Sequence, residues 1–311
     1  MIKRTLLFAN PAYLSTEDNQ LIVNYPDKEI ALEKSKRLKN MPTKAIPHIP
    51  IEDIGIVILE NSQITITNGL IEKLISNNVS IITCNQKHMP VSIMQPLNGH
   101  SEIGERHRKQ IEASLPLKKY LWQQTVEAKI RNQALHLEEN GKKAVRLHQL
   151  GKNVNSGDAT NREAIAAAYY WQNIFDIEGF NRERNGIPPN NLLNYGYAIL
   201  RAIIARALTG SGMLPSIGIF HKNKYNPYAL ADDIMEPYRP YVDWIVVKII
   251  KNYKNYDELT TEIKKELLQI ASIDVMITNK KSPLLVAVSR TTNSLYECFA
   301  GKKRKILYPI F

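Results

Sequence analysis

His221, Asp233 and Glu236 are the side chains whose types could first do chemistry together in this chain. An imidazole joined by carboxylate oxygens is a donor set for a divalent cation. Asn226-Pro227 reads as a helix start, with Asn as the cap and Pro in the first turn. The helix is expected to end at Glu236, because a residue before proline avoids the α region and Pro237 follows. On that helix Asp233 and Glu236 stand three apart and project from one face, while Asp232 points elsewhere. Two readings compete. The plain one is a pair of solvated surface acids and a core histidine, and spacing alone favours it. The other rests on setting: the acids lie near the end of a helix otherwise lined by Tyr228, Ala229, Leu230, Ile234 and Met235. The macrodipole opposes acids at a helix C-terminus, so a cation should compensate them.

Glu163 is the next candidate. Thr160 and Glu163 have the T-x-x-E spacing of a capping box, which by itself accounts for the glutamate. The helix that follows carries Ala164, Ala166, Ala167 and Ala168, so a partner can approach closely and hold a carboxylate rigidly. The remaining histidines, His48, His88, His100, His107, His136 and His148, show no ligand spacing with one another or with cysteine and read as surface or loop residues. The sequence has no GxxxxGK[ST] or GxGxxG phosphate loop and no serine nucleophile elbow.

The elements that must position these groups fall into two halves. Up to about residue 85 the runs KRTLLFA, QLIVNY, IGIVILE, QITITN and VSIITC are short, rich in β-branched residues and bounded by Asn, Pro and Gly. Residues 63–67 alternate as a half-buried antiparallel strand should, and Leu70, Ile71, Leu74 and Ile75 form one face of a short helix. Residues 86–104 carry two prolines and two glycines without a period and read as a linker or flexible hairpin. Beyond them Trp122, Val126, Ile130, Ala134 and Leu137 mark one helical face, and 191–208 is a helix apolar nearly all round. Two further helices are expected over 257–270 and 283–300, the second with Ser282 as cap and Gly301 past its end. The expected fold is α+β, an antiparallel sheet segregated from a helical bundle: a β-rich domain over 1–88, a linker over 89–104, and a mainly helical domain over 105–311.

Composition narrows the partners. The chain has 311 residues, 44% hydrophobic and 23% charged, which excludes a disordered tail or a collagen-like stalk. Its 41 Lys+Arg against 30 Asp+Glu leave +11, a surplus suited to a polyanion. Nucleic acid is the first candidate and an anionic membrane surface the competitor. Cys84 and Cys298 are the two cysteines, so no disulfide framework is expected, and a reducing cytoplasm is the natural compartment. The apolar start is broken by Asn10-Pro11, and runs such as 54–59 and 245–250 are too short to span a membrane.

Three stretches then carry a resemblance: GDATNREAIAAAYYWQNIF, LNYGYAILRAIIARAL and GIFHKNKYNPYALADDIMEPYRPYVD. Together they closely resemble the CRISPR adaptation integrases, the Cas-one family. ANPAYLS, QLIVNYPD, IPIEDIGIVILENSQITITNGLIEKL and CNQKHMPVSI look like that family's β-domain, and WQQTVEAKIRNQA like its first long helix. EPYRP and YYWQNIF look like the branch found beside type II CRISPR effectors.

The resemblance implies a two-domain subunit whose β-domain builds a homodimer and whose helical domain bears a metal site. Carried across, the Glu of NREA is Glu163, the His of GIFH is His221, and the acid of MEPYRP is Glu236. These three are the implied catalytic and metal-binding residues, for Mg²⁺ or Mn²⁺. Many relatives have Asp at the last position, so Glu236 is a mild departure. Asp233 matches a neighbouring acid, with a supporting role and a milder loss on truncation to Ala. The implied reaction is metal-dependent transesterification, in which a DNA 3′-hydroxyl joins a short fragment into the CRISPR array; with water as nucleophile the site would be an endonuclease. The implied partners are the fragment duplex, the CRISPR repeat, and a small Cas-two subunit whose dimer bridges two dimers of this chain in a heterohexamer. Arg162, Lys222, Lys224 and Arg239 lie near the proposed ligands and are candidate phosphate contacts, Arg239 alternatively pairing with Asp243. A basic path over Arg106, Arg108 and Lys109, or over Lys302 to Lys305, is the fallback. A non-catalytic DNA-binding scaffold, or a nuclease acting on branched DNA in repair, are the alternatives.

Overall fold

The computed structural model describes residues 3–26, 48–96 and 99–311. The chain divides into two compact units, Met1–Leu97 and Asn98–Phe311.

In the first unit the elements run β1 (Arg4–Phe8), β2 (Tyr13–Glu17), β3 (Gln20–Asn24), β4 (His48–Pro50), β5 (Ile54–Leu59), β6 (Thr65–Ile66), α1 (Asn68–Ser76), β7 (Ser80–Cys84) and β8 (Pro90–Met94). One sheet has the order β1-β5-β7-β8 and the other β4-β3-β2-β6. The IGIVIL run of β5 is buried along nearly its whole length, which suits a central strand with parallel neighbours on both sides. The first sheet is therefore largely parallel and not antiparallel as expected; only β8 runs against its neighbour β7. In the second sheet β2 and β3 form a hairpin whose turn residues Asp18 and Asn19 both have positive φ, as a type I′ turn requires. The alternating stretch at 63–67 contributes only Thr65–Ile66, and it pairs parallel with β2. Helix α1 is capped by the Thr67 side chain, and Leu70 and Leu74 bury fully against Leu14, Leu21, Ile54, Val57 and Ile81.

The expected linker also changes. Pro90–Met94 is a strand of the first sheet, so the β unit runs to Leu97 and not to residue 88. The prolines and glycines masked a hairpin strand whose own alternation, exposed on one side, is weak.

The second unit contains α2 (Ile103–Ile111), α3 (Leu115–Glu139), α4 (Val145–Lys152), α5 (Arg162–Ile174), α6 (Asn190–Gly210), α7 (Ala229–Met235), α8 (Arg239–Asn252), α9 (Thr261–Leu268), a β9–β10 hairpin (Asp274–Ile277, Lys280–Pro283) and α10 (Leu284–Phe299). No helix among the described residues is long and apolar enough to cross a membrane. Ser114 caps α3, and Trp122, Val126, Ile130, Ala134 and Leu137 are fully buried as their spacing predicts. A second, polar stripe of the same helix is buried too: Thr125, Lys129, Asn132, Gln133 and His136. Helix α6 is the central element, and Gly196 lets Val242 of α8 approach where any side chain would collide.

Pro237 does not end the helix that carries Asp233. The chain passes from α7 through a 3₁₀ turn, Glu236–Tyr238, straight into α8. Pro237 and Pro240 both occupy first-turn positions, where a missing N–H breaks no bond. The start also moves: Asn226 accepts from the Tyr228 N–H, and the helix begins at Ala229. Likewise α10 begins one residue late, with Ser282 and Pro283 in β10, while Gly301 ends it at positive φ as expected.

His136, read as a surface residue, is fully buried. Its Nδ1 lies 2.7 Å from the Tyr170 hydroxyl, which donates to Asp243 at 2.9 Å; Tyr197 donates to the same carboxylate. This network ties α3, α5, α6 and α8 behind the candidate site. Burial drives the His136 imidazole down to about 3 and the Asp243 carboxyl up to about 7. The two have opposite signs in linkage. Asp243 favours folding at low pH, and its contribution is lost as pH rises from its usual 3.8 through about 7. His136 contributes fully above its usual 6.5, and that contribution is lost as pH falls towards about 3. Between about pH 5 and 6.5 they therefore oppose each other. His136→Gln should make stability rise on acidification across this window and Asp243→Asn should make it fall, each by at most about 1.4 kcal/mol per pH unit. Urea unfolding at a series of pH values checks the two signs.

Candidate active site

Glu163 sits in the first turn of α5, but it does not cap it. The Asp158 carboxylate accepts from the Arg162 and Glu163 N–H groups at 2.8 and 3.0 Å, so the Thr160–Glu163 capping box is not formed. Asp158 and Asn161 both take positive φ to make this entry. The Glu163 side chain is thereby free for another partner, and its Oε1 lies 2.7 Å from Lys129 Nζ of α3.

The same ammonium lies 2.6 Å from Glu236 Oε2, and Arg239 Nη2 stands 2.9 Å from Glu236 Oε1. Glu236 is buried, as is Asp233, so neither is a solvated surface acid. The compensation that the helix terminus required is present as Lys129 and Arg239. Burial alone would push the Glu236 carboxyl up; the Arg239 and Lys129 cations outweigh it and hold the group below its usual value. Burial likewise works against the Lys129 charge, but Glu236 and Glu163 together keep its pKa above the ordinary lysine value.

His221 is half-exposed and not a core histidine. Its Nδ1 lies 2.5 Å from Asp233 Oδ1. Asp233 also accepts the backbone N–H groups of Ile219, Phe220 and His221 at 2.7, 3.0 and 3.2 Å, so one buried carboxylate builds the turn that presents the imidazole. Gly218 makes room for that turn, since a Cβ there would come within 2.6 Å of the His221 carbonyl oxygen. Phe220 lies flat on Trp122 of α3, centroids 4.2 Å apart, and His221 meets Trp122 edge-on. The hydrogen bond to Asp233 raises the His221 pKa against the effect of burial, and Glu236 adds to the rise. With Nδ1 engaged, Nε2 is the nitrogen left for a ligand. Asp232 is directed away, to Arg201 Nε at 2.6 Å and Asn226 Nδ2 at 2.8 Å.

The donors fit a cation in kind. Two carboxylates from α5 and the 3₁₀ turn already share one positive charge, with His221 within electrostatic reach of Glu236. Among the described residues no three His, Cys, Asp or Glu groups form a closed ligand cluster; the ammonium stands where two of them meet.

His221 opens onto a groove of about 690 Å³ that is also lined by Lys118, Lys222, Lys224 and Tyr225. Lys222 and Lys224 are exposed there, as a phosphate contact requires. Arg239 instead pairs with Glu236 rather than Asp243 and covers the Tyr197 ring, with its side chain partly exposed. The fallback basic segments meet elsewhere: Arg106, stacked 3.9 Å over Tyr296, lines a cavity of about 430 Å³ with Arg290 and Lys302. Sequence reasoning missed Lys129. The available signal was a lysine on the α3 stripe between Val126 and Ile130, both fully buried.

Residues 6–272 match the family model described as CRISPR associated protein Cas1. The chain is 35% identical to the CRISPR-associated endonuclease Cas1 of Neisseria meningitidis serogroup C (strain 8013), covering 99% of this chain and 95% of that one. Among solved structures it is similar in fold to a casposase bound to integration product, with a TM-score of 0.75 at 18% identity over 97% of this chain and 92% of that chain. A Cas6-RT-Cas1–Cas2 complex gives a TM-score of 0.69 at 18% identity, covering 98% of this chain and 36% of that chain.

Proposed function

The chain belongs to the CRISPR-associated Cas1 family, and from that premise we propose that it is a metal-dependent DNA integrase and endonuclease of CRISPR adaptation, of the type II-like branch. The observation that carries this reading is the meeting of Glu163 and Glu236 at the Lys129 ammonium, with His221 in electrostatic reach of Glu236 and lining a groove that also bears lysines. Glu163, Glu236 and His221 Nε2 would hold Mg²⁺ or Mn²⁺, both of which accept carboxylate oxygen and, for Mn²⁺ more readily, imidazole. When bound, the ion polarises the phosphate and favours the alkoxide of the attacking or leaving oxygen. Asp233 orients the imidazole through Nδ1, and Lys222 and Lys224 position the phosphate backbone without reading sequence. The 3′-hydroxyl oxygen of a short fragment bonds to a phosphorus of the CRISPR array as the P–O3′ bond of the array strand breaks. The strand leaves as a free 3′-hydroxyl that takes up the proton given up by the attacking one. We assign the homodimer contact to the β unit, and a small Cas2 subunit as the bridge between two dimers, a pairing supported by the neighbour solved with Cas2.

The test is transfer of a short duplex into a supercoiled plasmid carrying a repeat, with and without the small subunit. Joined product that EDTA abolishes supports the reading. DNA binding with no transfer or cleavage under Mg²⁺ or Mn²⁺ would leave a scaffold.

DNA binding itself should survive EDTA and fall steeply with salt, since each neutralised phosphate releases counterions. Lys222→Ala with Lys224→Ala is expected to flatten the log–log salt slope by about 1.8, roughly 0.9 for each phosphate contact. An unchanged slope would move the basic path to the Arg106–Arg290–Lys302 cavity.

A further inference from the structure

We propose that Lys129 is a built-in competitor of the metal: its ammonium occupies the place between Glu163 and Glu236 that a divalent ion takes, and binding of the ion displaces it. The inference rests on the reading of those two carboxylates as metal ligands. Lys129 Nζ lies 2.7 and 2.6 Å from oxygens of two carboxylates on separate elements, and its side chain is only 10% exposed. A Mg²⁺ ion held by the same oxygens sits at roughly 2.0–2.1 Å from each. The ammonium and the ion cannot share that space, and like charge adds to the exclusion.

The surroundings suit a cation that must leave. Lysine carries its charge on a flexible four-carbon stem, so the head can move while the stem stays in the buried polar stripe of α3. Arg239 holds the other oxygen of Glu236, so that carboxylate remains anchored when the ammonium departs. With neither the ammonium nor the metal in place, Glu163 would lose its counter-charge and two neighbouring carboxylates would be left to the single charge of Arg239, which is costly. Lys129 is thus a positioning residue. It keeps the site assembled before the metal arrives and weakens the affinity with which the metal is taken up.

The experiment measures Mn²⁺ binding to the EDTA-treated full chain by the loss of the free-ion EPR signal, together with thermal midpoints with and without Mn²⁺. Lys129→Met should bind Mn²⁺ about tenfold more tightly than wild type or better, a gain of about 1.4 kcal/mol per decade. Its metal-free midpoint should fall, and Mn²⁺ should restore it by linkage. Lys129→Arg should keep the midpoint but bind Mn²⁺ more weakly than wild type, because a permanently charged fork does not yield the place. If Lys129→Met does not accumulate folded, Lys129→Gln, neutral but still a donor, should show the same tightening. Mn²⁺ affinity in the folded neutral variant equal to or below wild type overturns the proposal. Wild type and Glu163→Gln binding Mn²⁺ identically would instead overturn the metal-site reading, and the proposal with it.

Discussion

Glu163→Gln, Glu236→Gln and His221→Ala are each expected to lower strand transfer by about a thousandfold or more, the scale on which a group acting directly on the developing charge is missed. Gln is the informative substitution at the two glutamates. Glu236→Ala would leave Arg239 without its carboxylate and Lys129 with Glu163 alone in a largely buried site. Breaking a buried pair in that way typically costs about 3–5 kcal/mol, so lost activity would not separate chemistry from folding. Gln keeps the volume and one acceptor. His221 is half-exposed and its removal disturbs less. Near-normal transfer by His221→Ala under Mg²⁺, measured on chain with an unchanged thermal midpoint, would remove the histidine from the site.

Asp233→Ala should be the most damaging of the neighbouring substitutions, which reverses the milder effect expected of it from sequence. Asp233 is fully buried and is the acceptor for the N–H groups of Ile219, Phe220 and His221 as well as for the imidazole. Truncation strands the buried Ile219 N–H, at about 1–3 kcal/mol for a group left unsatisfied, and loosens the part-buried Phe220 and His221 N–H groups. It also frees the His221 ring to rotate. We expect a loss of stability of roughly 2–4 kcal/mol and of transfer as large as for His221→Ala. Asp233→Asn, which keeps an acceptor oxygen, should recover part of the stability. Urea unfolding and the transfer assay on the same preparations decide it. A fully stable Asp233→Ala chain would show that the turn holds itself.

The helices of the second unit were legible because their signals are redundant. The Trp122-to-Leu137 face repeats over many turns, and every residue of it is buried. The strands were legible only where β-branched runs are dense. Tyr13–Glu17, which mixes Ser, Thr and Glu, and Pro90–Met94, which opens on proline, have partners far along the chain or exposed faces, so their local sequences carry little of the information. Parallel pairing was hidden for the same reason: β5 lies between β1 and β7, and nothing within IGIVIL states which way its neighbours run.

In the site, the ligand types were visible and their partners were not. Capping rules assigned Glu163 to Thr160, whereas Asp158 outcompetes it through a turn in left-handed conformations that no spacing rule detects. Pro237 was read as a stop, although a first-turn position tolerates it without a lost bond. His136 reads as a surface residue and Lys129 draws no notice, because a buried polar stripe on a long helix has the same letters as a solvated one. What distinguishes them is that Tyr170 and Asp243, or Glu163 and Glu236, arrive from elsewhere in the chain.

Helix α3 acts as the ruler of the site. From one rod Trp122 supports the loop of His221, Lys129 holds the two glutamates, Asn132 donates to the Pro237 carbonyl at 2.8 Å, and His136 enters the Asp243 network. The rod sets the spacing between the first two of these at about 10 Å, from a rise of roughly 1.5 Å per residue. Adding or deleting a single residue between them would turn one contact about 100° away from the other, whatever happens to the local helix. Insertions are therefore expected to be tolerated in the connections, such as the stretch between α5 and α6, and not between Trp122 and His136, where one added residue breaks the register of the site.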